Sequence, residues 1–386
     1  MEIKLIPQIN GTASLDELKK NSQVSGRICY TEKDIDGLFE EPYDAKLVEG
    51  RLLPSGHHSP FEHKHLTFYM KGIPKILAMV LNNERPYVTS EKSARYTTMK
   101  DIIPEQKELY DKWLEILEQE IARVYPESQF PRLHIRDKSN KNGITKLAQE
   151  NARYMTSVFT PTKMVHTLEA RQVNFLIDEF QKYISEKSNS QSEFERRLSQ
   201  IMPEFIDQMQ PFQIENLENK TDRHLSMFRE TPVEEYFGDV YATNYLLSFA
   251  GLAQAHRHRT LDYTMVTPQL NGGNDKGFFV PEVIRRAGLS DEWYNDLTKV
   301  ASNDFPQAQL LYVTERGKIE DFRSKCILRL CSHAQYEIMQ NTKATAEKYS
   351  RYRQEILDWI KPKCMQGNKC AEPCAVGSNM ALERIV

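Results

Sequence analysis

Residues 57–70 read HHSPFEHKHLTFYM. From residue 65 onward, apolar and polar side chains alternate with a period of two, which predicts a half-buried β-strand. Residues 57–63 contain three imidazoles and a carboxylate, a composition that is also found in metal sites. Pro60 prevents a regular helix there, and the i, i+4 histidine pair of helical zinc sites is missing. The spacing therefore favours a polar turn that leads into the strand.

The composition predicts a globular protein with more than one unit. The chain has 386 residues, of which 40% are apolar and 27% charged, which suits two or three units. A formal net charge of −3 argues against a polynucleotide-binding role. No apolar stretch approaches the roughly 18 residues that a membrane-spanning helix needs, and no secretory signal precedes residue 20. Six cysteines without such a signal predict no disulfide framework, so we expect a cytoplasmic protein without a membrane partner.

A polar, Ser-rich stretch at 185–193 separates two halves of the chain. It has no large apolar residue, and we interpret it as a linker. The similar order of elements on its two sides predicts an internal repeat. Periodicity predicts helices over 104–124, about 144–158 and about 168–183 before the stretch, and after it strands near 240–249 and 309–314 and helices near 290–302 and 318–360.

Two further clusters carry positive charge. Ser93 and Arg95 are two residues apart, so an extended backbone would place this hydroxyl and guanidinium on one face, where they suit a phosphate. Residues 256–259 read His-Arg-His-Arg, and these four side chains repel one another unless an anion or water intervenes. A charged surface loop and a solvated basic turn are the alternative interpretations of the two clusters.

Together these motifs resemble those of the flavin-dependent thymidylate synthases. That family has a His-x-(Ser/Thr)-Pro-Phe-Glu-His segment before a strand, and residues 57–63 fit it. Its Ser-x-Arg-Tyr element matches residues 93–96, and Glu91 stands at the family's acidic position. Its Arg-His-Arg triplet does not match residues 83–85, which read Asn-Glu-Arg.

The second half carries the motifs that the first half lacks. An intact triplet lies at 257–259, with Gln254 at the family's glutamine position, and residues 328–338, LRLCSHAQYEI, closely resemble the late signature of the family. The resemblance spans about residues 20–360 and implies two family units in tandem. The expected fold is α+β, with an antiparallel or mixed sheet and flanking helices in each unit. The expected divisions are a first unit at 1–184, a linker at 185–200, a second unit at 201–360 and a Cys-containing tail at 361–386.

The resemblance also implies roles for individual residues. Arg329 and Gln254 are expected to hold the uracil ring and to take part in catalysis, because an arginine beside the ring stabilises developing negative charge. Substrate binding is assigned to Glu91, Ser93, Arg95 and Arg153. Flavin binding is assigned to Ser59, Glu62, Arg171, Arg257, His258, Arg259 and His333.

The implied activity is reductive methylation of dUMP at C5, which gives dTMP. FAD is the implied cofactor, NADPH the reductant and methylenetetrahydrofolate the one-carbon donor, and no cysteine nucleophile is needed. Glu169 in place of the family's asparagine, the broken triplet at 83–85 and Ser302 at an arginine position depart from the family. These departures leave open methylation or hydroxymethylation of another pyrimidine nucleotide, and also a non-catalytic paralogue that binds flavin or nucleotide.

The distribution of the motifs bears on assembly. Family members are homotetramers whose active sites use residues from several subunits. Here the phosphate residues survive in the first half, and the ring and flavin residues survive in the second. We therefore expect a homodimer that forms a pseudo-tetramer, with composite sites built from opposite halves.

The tail contains three cysteines, spaced C-x5-C-x3-C. Cys364, Cys370 and Cys374 are candidates for a zinc or iron–sulfur site if a fourth ligand joins them. The alternative is an exposed tail with redox-sensitive thiols, because the spacing fits no common zinc pattern.

Overall fold

The computed structural model describes residues 1–386 except 10, 96, 98–100, 219–223, 269–276, 368–369, 371–373 and 375. The strands in chain order are β1 (Glu2–Leu5), β2 (His65–Pro74), β3 (Val88–Glu91), β4 (Pro161–Glu169), β5 (Phe228–Arg229), β6 (Tyr236–Phe237), β7 (Val240–Ser248), β8 (Asp262–Val266) and β9 (Leu310–Lys318). The α-helices are α1 (Leu15–Arg27), α2 (Ile35–Glu40), α3 (Ala45–Leu47), α4 (Lys75–Leu81), α5 (Pro104–Val124), α6 (Pro131–His134), α7 (Gly143–Ala152), α8 (Ala170–Lys187), α9 (Glu193–Met209), α10 (Phe249–Ala255), α11 (Glu282–Arg286), α12 (Ser290–Ala301), α13 (Ile319–Arg329) and α14 (Tyr336–Ser350). Short 3₁₀ helices include Ser59–Glu62, Arg153–Met155 and Gln354–Trp359. In the described ranges, no helix combines the length and apolar character needed to cross a membrane.

The chain forms two compact units, and each is built from two separate stretches. Unit 1 contains Met1–Lys92 and Pro161–Leu225, and unit 2 contains Ser93–Thr160 and Ser226–Val386. The compact units therefore do not coincide with the expected divisions at 1–184 and 201–360. Each unit combines a sheet with helices, which confirms the expected α+β class.

Unit 1 is organised around an antiparallel sheet with the order β1-β2-β4-β3. The strand predicted from residue 65 is confirmed as β2, and its apolar side chains are fully buried. Thr67 is also fully buried, and its hydroxyl lies 2.9 Å from that of Thr167 on β4, so β2 is covered on both faces near this point. The helix predicted to begin near 168 starts only at Ala170, because β4 runs to Glu169.

The Ser-rich stretch, expected to be a linker over 185–200, is a turn between two helices of unit 1. α8 continues to Lys187, and α9 begins at Glu193. The Ser192 side chain accepts a hydrogen bond from the backbone N–H of Glu195, which is the usual role of serine at a helix start. The apolar side chains of α9 are buried in unit 1, and these include Phe194, Leu198, Met202 and Phe205.

Unit 2 has a sheet with the order β5-β8-β9-β7-β6. Its central strand β9 pairs antiparallel with β7 and β8. The corresponding strand of unit 1, β4, pairs antiparallel with β2 and β3. The two sheets thus share one arrangement of three strands, as an internal repeat would give, and the tandem duplication itself stays a prediction.

The segment 93–160 belongs to unit 2 because its helix α5 buries an apolar face there. α5 spans the predicted range, and Tyr110, Trp113, Leu117 and Ile121 along one face are fully buried. The Trp113 ring meets Trp293 of α12 edge to face at 4.8 Å between centroids. A helix from the first half of the sequence therefore forms the core of unit 2 together with a helix from the second half.

Candidate active site

Two interrupted helices of unit 2 place the main candidate residues. The helix predicted over 144–158 ends at Ala152, and Arg153 opens the short 3₁₀ turn that follows. The helix predicted over 318–360 is broken after Arg329, and α14 begins only at Tyr336. We call residues 330–335 the signature loop. Because the ends of helices leave backbone groups unbonded, this loop offers carbonyl oxygens to neighbouring side chains.

Arg95 is held between α7 and the signature loop. Its Nε pairs with the buried carboxylate of Glu150, and its Nη2 donates to the backbone oxygen of His333 at 3.0 Å. Ser93 and Arg95 do not share the face of an extended strand, because β3 ends at Glu91 and Ser93 starts a turn. The Ser93 hydroxyl accepts from the backbone N–H of Arg95 at 3.3 Å, a local bond that favours the turn. The tyrosine of the Ser-x-Arg-Tyr element lies outside the described residues.

Arg153 heads a buried chain of hydrogen bonds. Its Nη2 donates to Gln335 Oε1 at 2.6 Å, and Gln335 Nε2 donates to the Tyr154 hydroxyl at 2.5 Å. The Tyr154 hydroxyl donates in turn to the Glu337 carboxylate at 2.7 Å. Glu337 also accepts from the backbone N–H and the hydroxyl of Ser248, at 2.7 and 2.6 Å. This network of hydrogen bonds fixes the orientation of Arg153.

Gln254 connects to the same network. Its Oε1 accepts from the backbone N–H of Gln335 at 3.2 Å, which fixes the orientation of the amide. The NH₂ group of Gln254 is therefore the side that remains for a ligand. Gln335 joins Arg153, expected at the phosphate, to Gln254, expected at the ring, although they come from opposite halves of the sequence.

Arg329, expected beside the ring, donates from Nε to the Nε2 atom of His258 at 2.6 Å. Burial and, to a smaller extent, the charges of Arg329 and Lys325 together lower the pKa of His258 to about 2, so the imidazole is a neutral acceptor. The pKa of Arg329 is also lowered, to about 10, mainly by burial. Tyr263 raises this pKa, whereas the nearby cations Arg257 and Arg95 lower it, and the guanidinium stays charged at neutral pH.

The side chains of residues 256–259 are alternately buried and exposed, which separates them and reduces the repulsion among them. His256 and His258 are buried, whereas Arg257 and Arg259 are exposed. Within the described part of the chain, the Arg257 guanidinium has neither a hydrogen bond nor an ion pair. An anionic partner could therefore bind it without breaking a hydrogen bond or ion pair to any described residue.

The remaining candidates lie in unit 1. Arg171 pairs through Nη1 with the Glu62 carboxylate, close to Ser59 at the start of a 3₁₀ helix. Glu91 accepts two hydrogen bonds from Lys75, at 2.7 and 2.8 Å. The expected site residues are thus divided between the units: unit 1 contains Ser59, Glu62, Glu91 and Arg171, and unit 2 contains Ser93, Arg95, Arg153, Gln254, Arg257, His258, Arg259, Arg329 and His333.

A buried ion pair in unit 2 escaped the sequence analysis. Lys325 on α13 donates to Glu315 on β9 at 2.5 Å, and both side chains are fully buried. The hydroxyls of Tyr241 and Tyr245 donate to the same carboxylate, each at 2.5 Å. The signal in the sequence is a lysine on the apolar face of a helix, next to Cys326. This ion pair joins α13 to the sheet, and Lys325 lies one helical turn before Arg329.

The two metal-site candidates gain no support. In the parts of the chain that the structure describes, no group of three His, Cys, Asp or Glu side chains is arranged to hold a metal ion. Both ring nitrogens of His58 lie against backbone oxygens, those of Glu218 at 3.1 Å and Leu53 at 2.9 Å, as in a polar turn. Cys364 and Cys370 are exposed, and the Cys374 sulfur lies 2.9 Å from the Ser332 hydroxyl.

Comparison with known proteins identifies a family and several relatives. The family model described as thymidylate synthase complementing protein matches residues 13–209, just over half of the chain. A flavin-dependent thymidylate synthase of Pseudothermotoga lettingae is 32% identical over 142 residues, which are 36% of this chain and 62% of that protein. One of Thermococcus onnurineus is 26% identical over 145 residues, 35% of this chain and 53% of that protein. The chain thus spans about half to three fifths of the length of these curated relatives.

Two solved structures share a weaker likeness. The UMP/dUMP methylase PolB of Streptomyces cacaoi, bound with 5-Br dUMP, is 18% identical to this chain, with a TM-score of 0.31. The alignment covers 55% of this chain and 94% of the PolB chain. Thymidylate synthase X of Helicobacter pylori, with FAD and dUMP, is 17% identical to this chain, with a TM-score of 0.30. The alignment covers 56% of this chain and 99% of the Helicobacter pylori chain.

Proposed function

Because the chain belongs to the family of thymidylate synthase complementing proteins, we propose that it is an enzyme that methylates dUMP at C5 reductively and releases dTMP. FAD is the proposed cofactor and supplies the hydride chemistry when bound. NADPH is the proposed reductant, and methylenetetrahydrofolate is the proposed one-carbon donor.

The observation that carries this proposal is the arrangement of Arg95, Arg153, Gln254 and Arg329 in one compact unit. A phosphate monoester accepts paired hydrogen bonds from guanidinium groups, so Arg95 and Arg153 suit the nucleotide phosphate. Gln254 presents N–H donors, because its oxygen is occupied by the backbone of Gln335. Such donors suit a carbonyl oxygen of a uracil ring.

Arg329 is the group that we propose to act on the reacting ring. As C5 becomes nucleophilic, negative charge spreads over the pyrimidine, and a fixed cation beside it stabilises that charge. His258 accepts from Arg329 Nε and thereby fixes the plane of the guanidinium, which leaves both Nη groups available for the ring. The neutral imidazole does not compete for the developing charge, because burial keeps its pKa near 2.

The donor set fits a flavin with anionic phosphates. The exposed Arg257 lacks a hydrogen bond or ion-pair partner among the described residues, so it suits a pyrophosphate or an anionic ring edge. We propose that FAD is held by the residues that the family resemblance assigned, which are Ser59, Glu62, Arg171, Arg257, His258, Arg259 and His333.

The purified chain tests this function by its absorption spectrum. We expect a bound flavin that NADPH bleaches without oxygen and that dUMP with methylenetetrahydrofolate reoxidises, with dTMP formed in equal amount. A colourless protein that takes up no added FAD would contradict the proposal. If the chain methylates another pyrimidine monophosphate and not dUMP, the proposed substrate is wrong and the proposed type of reaction is retained.

A further inference from the structure

Unit 2 contains a cavity of about 130 Å³ beside Arg95, one of the two arginines proposed for the nucleotide phosphate. The residues that line it include Arg95, Lys146, Arg384 and Glu150, and the loop residues Ser332 and His333. A water molecule's share of liquid volume is about 30 Å³, so the cavity has room for a group of several heavy atoms. Arg95 pairs with Glu150 and Lys146 pairs with Asp137, whereas Arg384 has no carboxylate partner among the described residues, which favours an anion beside Arg384.

Arg384 enters this lining from the end of the described chain. It is only 3% exposed, and its Nη1 and Nη2 donate to the backbone oxygens of Ser332 and Ala334, both at 2.5 Å. The next residue, Ile385, donates its backbone N–H to the Tyr125 hydroxyl at 3.0 Å and packs into the core of unit 2. This segment, residues 384–386, is therefore buried and docked on the rest of unit 2.

One buried donor of Arg384 lacks an acceptor. The Nε of Arg384 is buried and has no hydrogen-bond partner among the described residues. Burial lowers the pKa of Arg384, Glu150 raises it, and the neighbouring charge of Arg95 lowers it again. An anion in the cavity would supply an acceptor and would relieve the repulsion between Arg95 and Arg384.

We propose that Arg384 binds the phosphate of the nucleotide substrate, so that the C-terminal segment supplies an arginine to the phosphate site beside Arg95. This inference rests on the proposed function and extends it to a residue outside the family motifs. It also assigns a role to the docked segment, which carries a binding group into a pocket formed by α7 and the signature loop.

Calorimetric titration of dUMP and deoxyuridine separates phosphate binding from ring binding. Arg384→Gln removes the charge but keeps an amide donor for the loop carbonyls. We expect it to weaken dUMP binding about tenfold or more, because hydrogen bonds to a charged phosphate are among the strong ones. Deoxyuridine binding should be unchanged. The dUMP affinity of Arg384→Lys should lie between those of the wild-type chain and Arg384→Gln. Arg384→Lys serves as the test if Arg384→Gln does not fold. The exposed Arg351→Gln is the matched control and should leave both affinities unchanged.

Several outcomes would overturn the role of Arg384. If Arg384→Gln weakens the binding of dUMP and of deoxyuridine equally, Arg384 only stabilises the signature loop. Unchanged dUMP binding in Arg384→Gln, with loss in Arg95→Gln, would refute the inference and leave the proposed function intact. If the wild-type chain binds no dUMP, the substrate proposal fails, and inorganic phosphate becomes the probe. Phosphate binding that is lost in Arg384→Gln would still support the anion site, whereas retained or absent phosphate binding would overturn it.

Discussion

Replacing Arg329 with alanine is expected to lower kcat for dUMP methylation by about 10²–10³-fold, the usual cost of removing one preorganised group that stabilises developing charge. The affinity for dUMP should change much less, because the interaction strengthens as negative charge grows on the ring. Steady-state dTMP formation, combined with calorimetric dUMP binding, separates the two effects.

Two variants make the result specific. Arg329→Lys keeps the charge and loses the planar fork that pairs with His258, so it should recover only part of the rate. Arg351→Ala removes an exposed arginine of unit 2 and should leave kcat unchanged. A tenfold or larger loss of dUMP affinity with unchanged kcat would assign Arg329 to binding alone and would contradict the proposed role.

Lys325→Met is expected to lower the free energy of unfolding of unit 2 by about 3–5 kcal/mol, because it leaves the Glu315 carboxylate buried without its cation. The hydroxyls of Tyr241 and Tyr245 still donate to that carboxylate but supply no charge. All three tryptophans of the chain, Trp113, Trp293 and Trp359, lie in unit 2. Urea unfolding followed by tryptophan fluorescence therefore reports on this unit.

Two comparisons calibrate the loss. Lys361→Met removes the cation of an exposed ion pair with Asp358 and should cost at most about 1 kcal/mol. The double variant Glu315→Gln with Lys325→Met removes both buried charges and should be more stable than Lys325→Met alone. A loss in Lys325→Met no greater than that in Lys361→Met would mean that the buried pair does not stabilise α13.

Local elements could be predicted from the sequence, but their partners could not. The alternation from residue 65 and the apolar stripe of 104–124 are local patterns, and both gave correct elements. The stripe shows that α5 is buried without showing against what, and Trp293 of the second half is its partner. The composition of the Ser-rich stretch indicated a linker, but serine is also common at the start of a helix, as at Ser192. Composition alone does not separate the two roles.

Motifs in the sequence selected only part of the candidate site. Arg95, Arg153, Gln254 and Arg329 were selected from motifs in separate parts of the chain, and the structure gathers them in unit 2. Glu150 and Gln335 were not selected, although Glu150 lies one helical turn before Arg153 and Gln335 lies within the late signature. No pattern near Arg384 indicated a role, because its position depends on the docking of the C-terminal segment.

The central claim is that one chain supplies both the phosphate residues and the ring residues of each site. Chains with Arg95→Ala and chains with Arg329→Ala, each with its own affinity tag, can be coexpressed and purified so that every predicted homodimer contains one of each. We expect no more dTMP formation than in the better single variant, because no chain keeps both arginines. Dimers of a wild-type chain with a chain that carries both substitutions should stay active. Clear recovery of activity in the mixed single variants would contradict the claim and would place each site between chains.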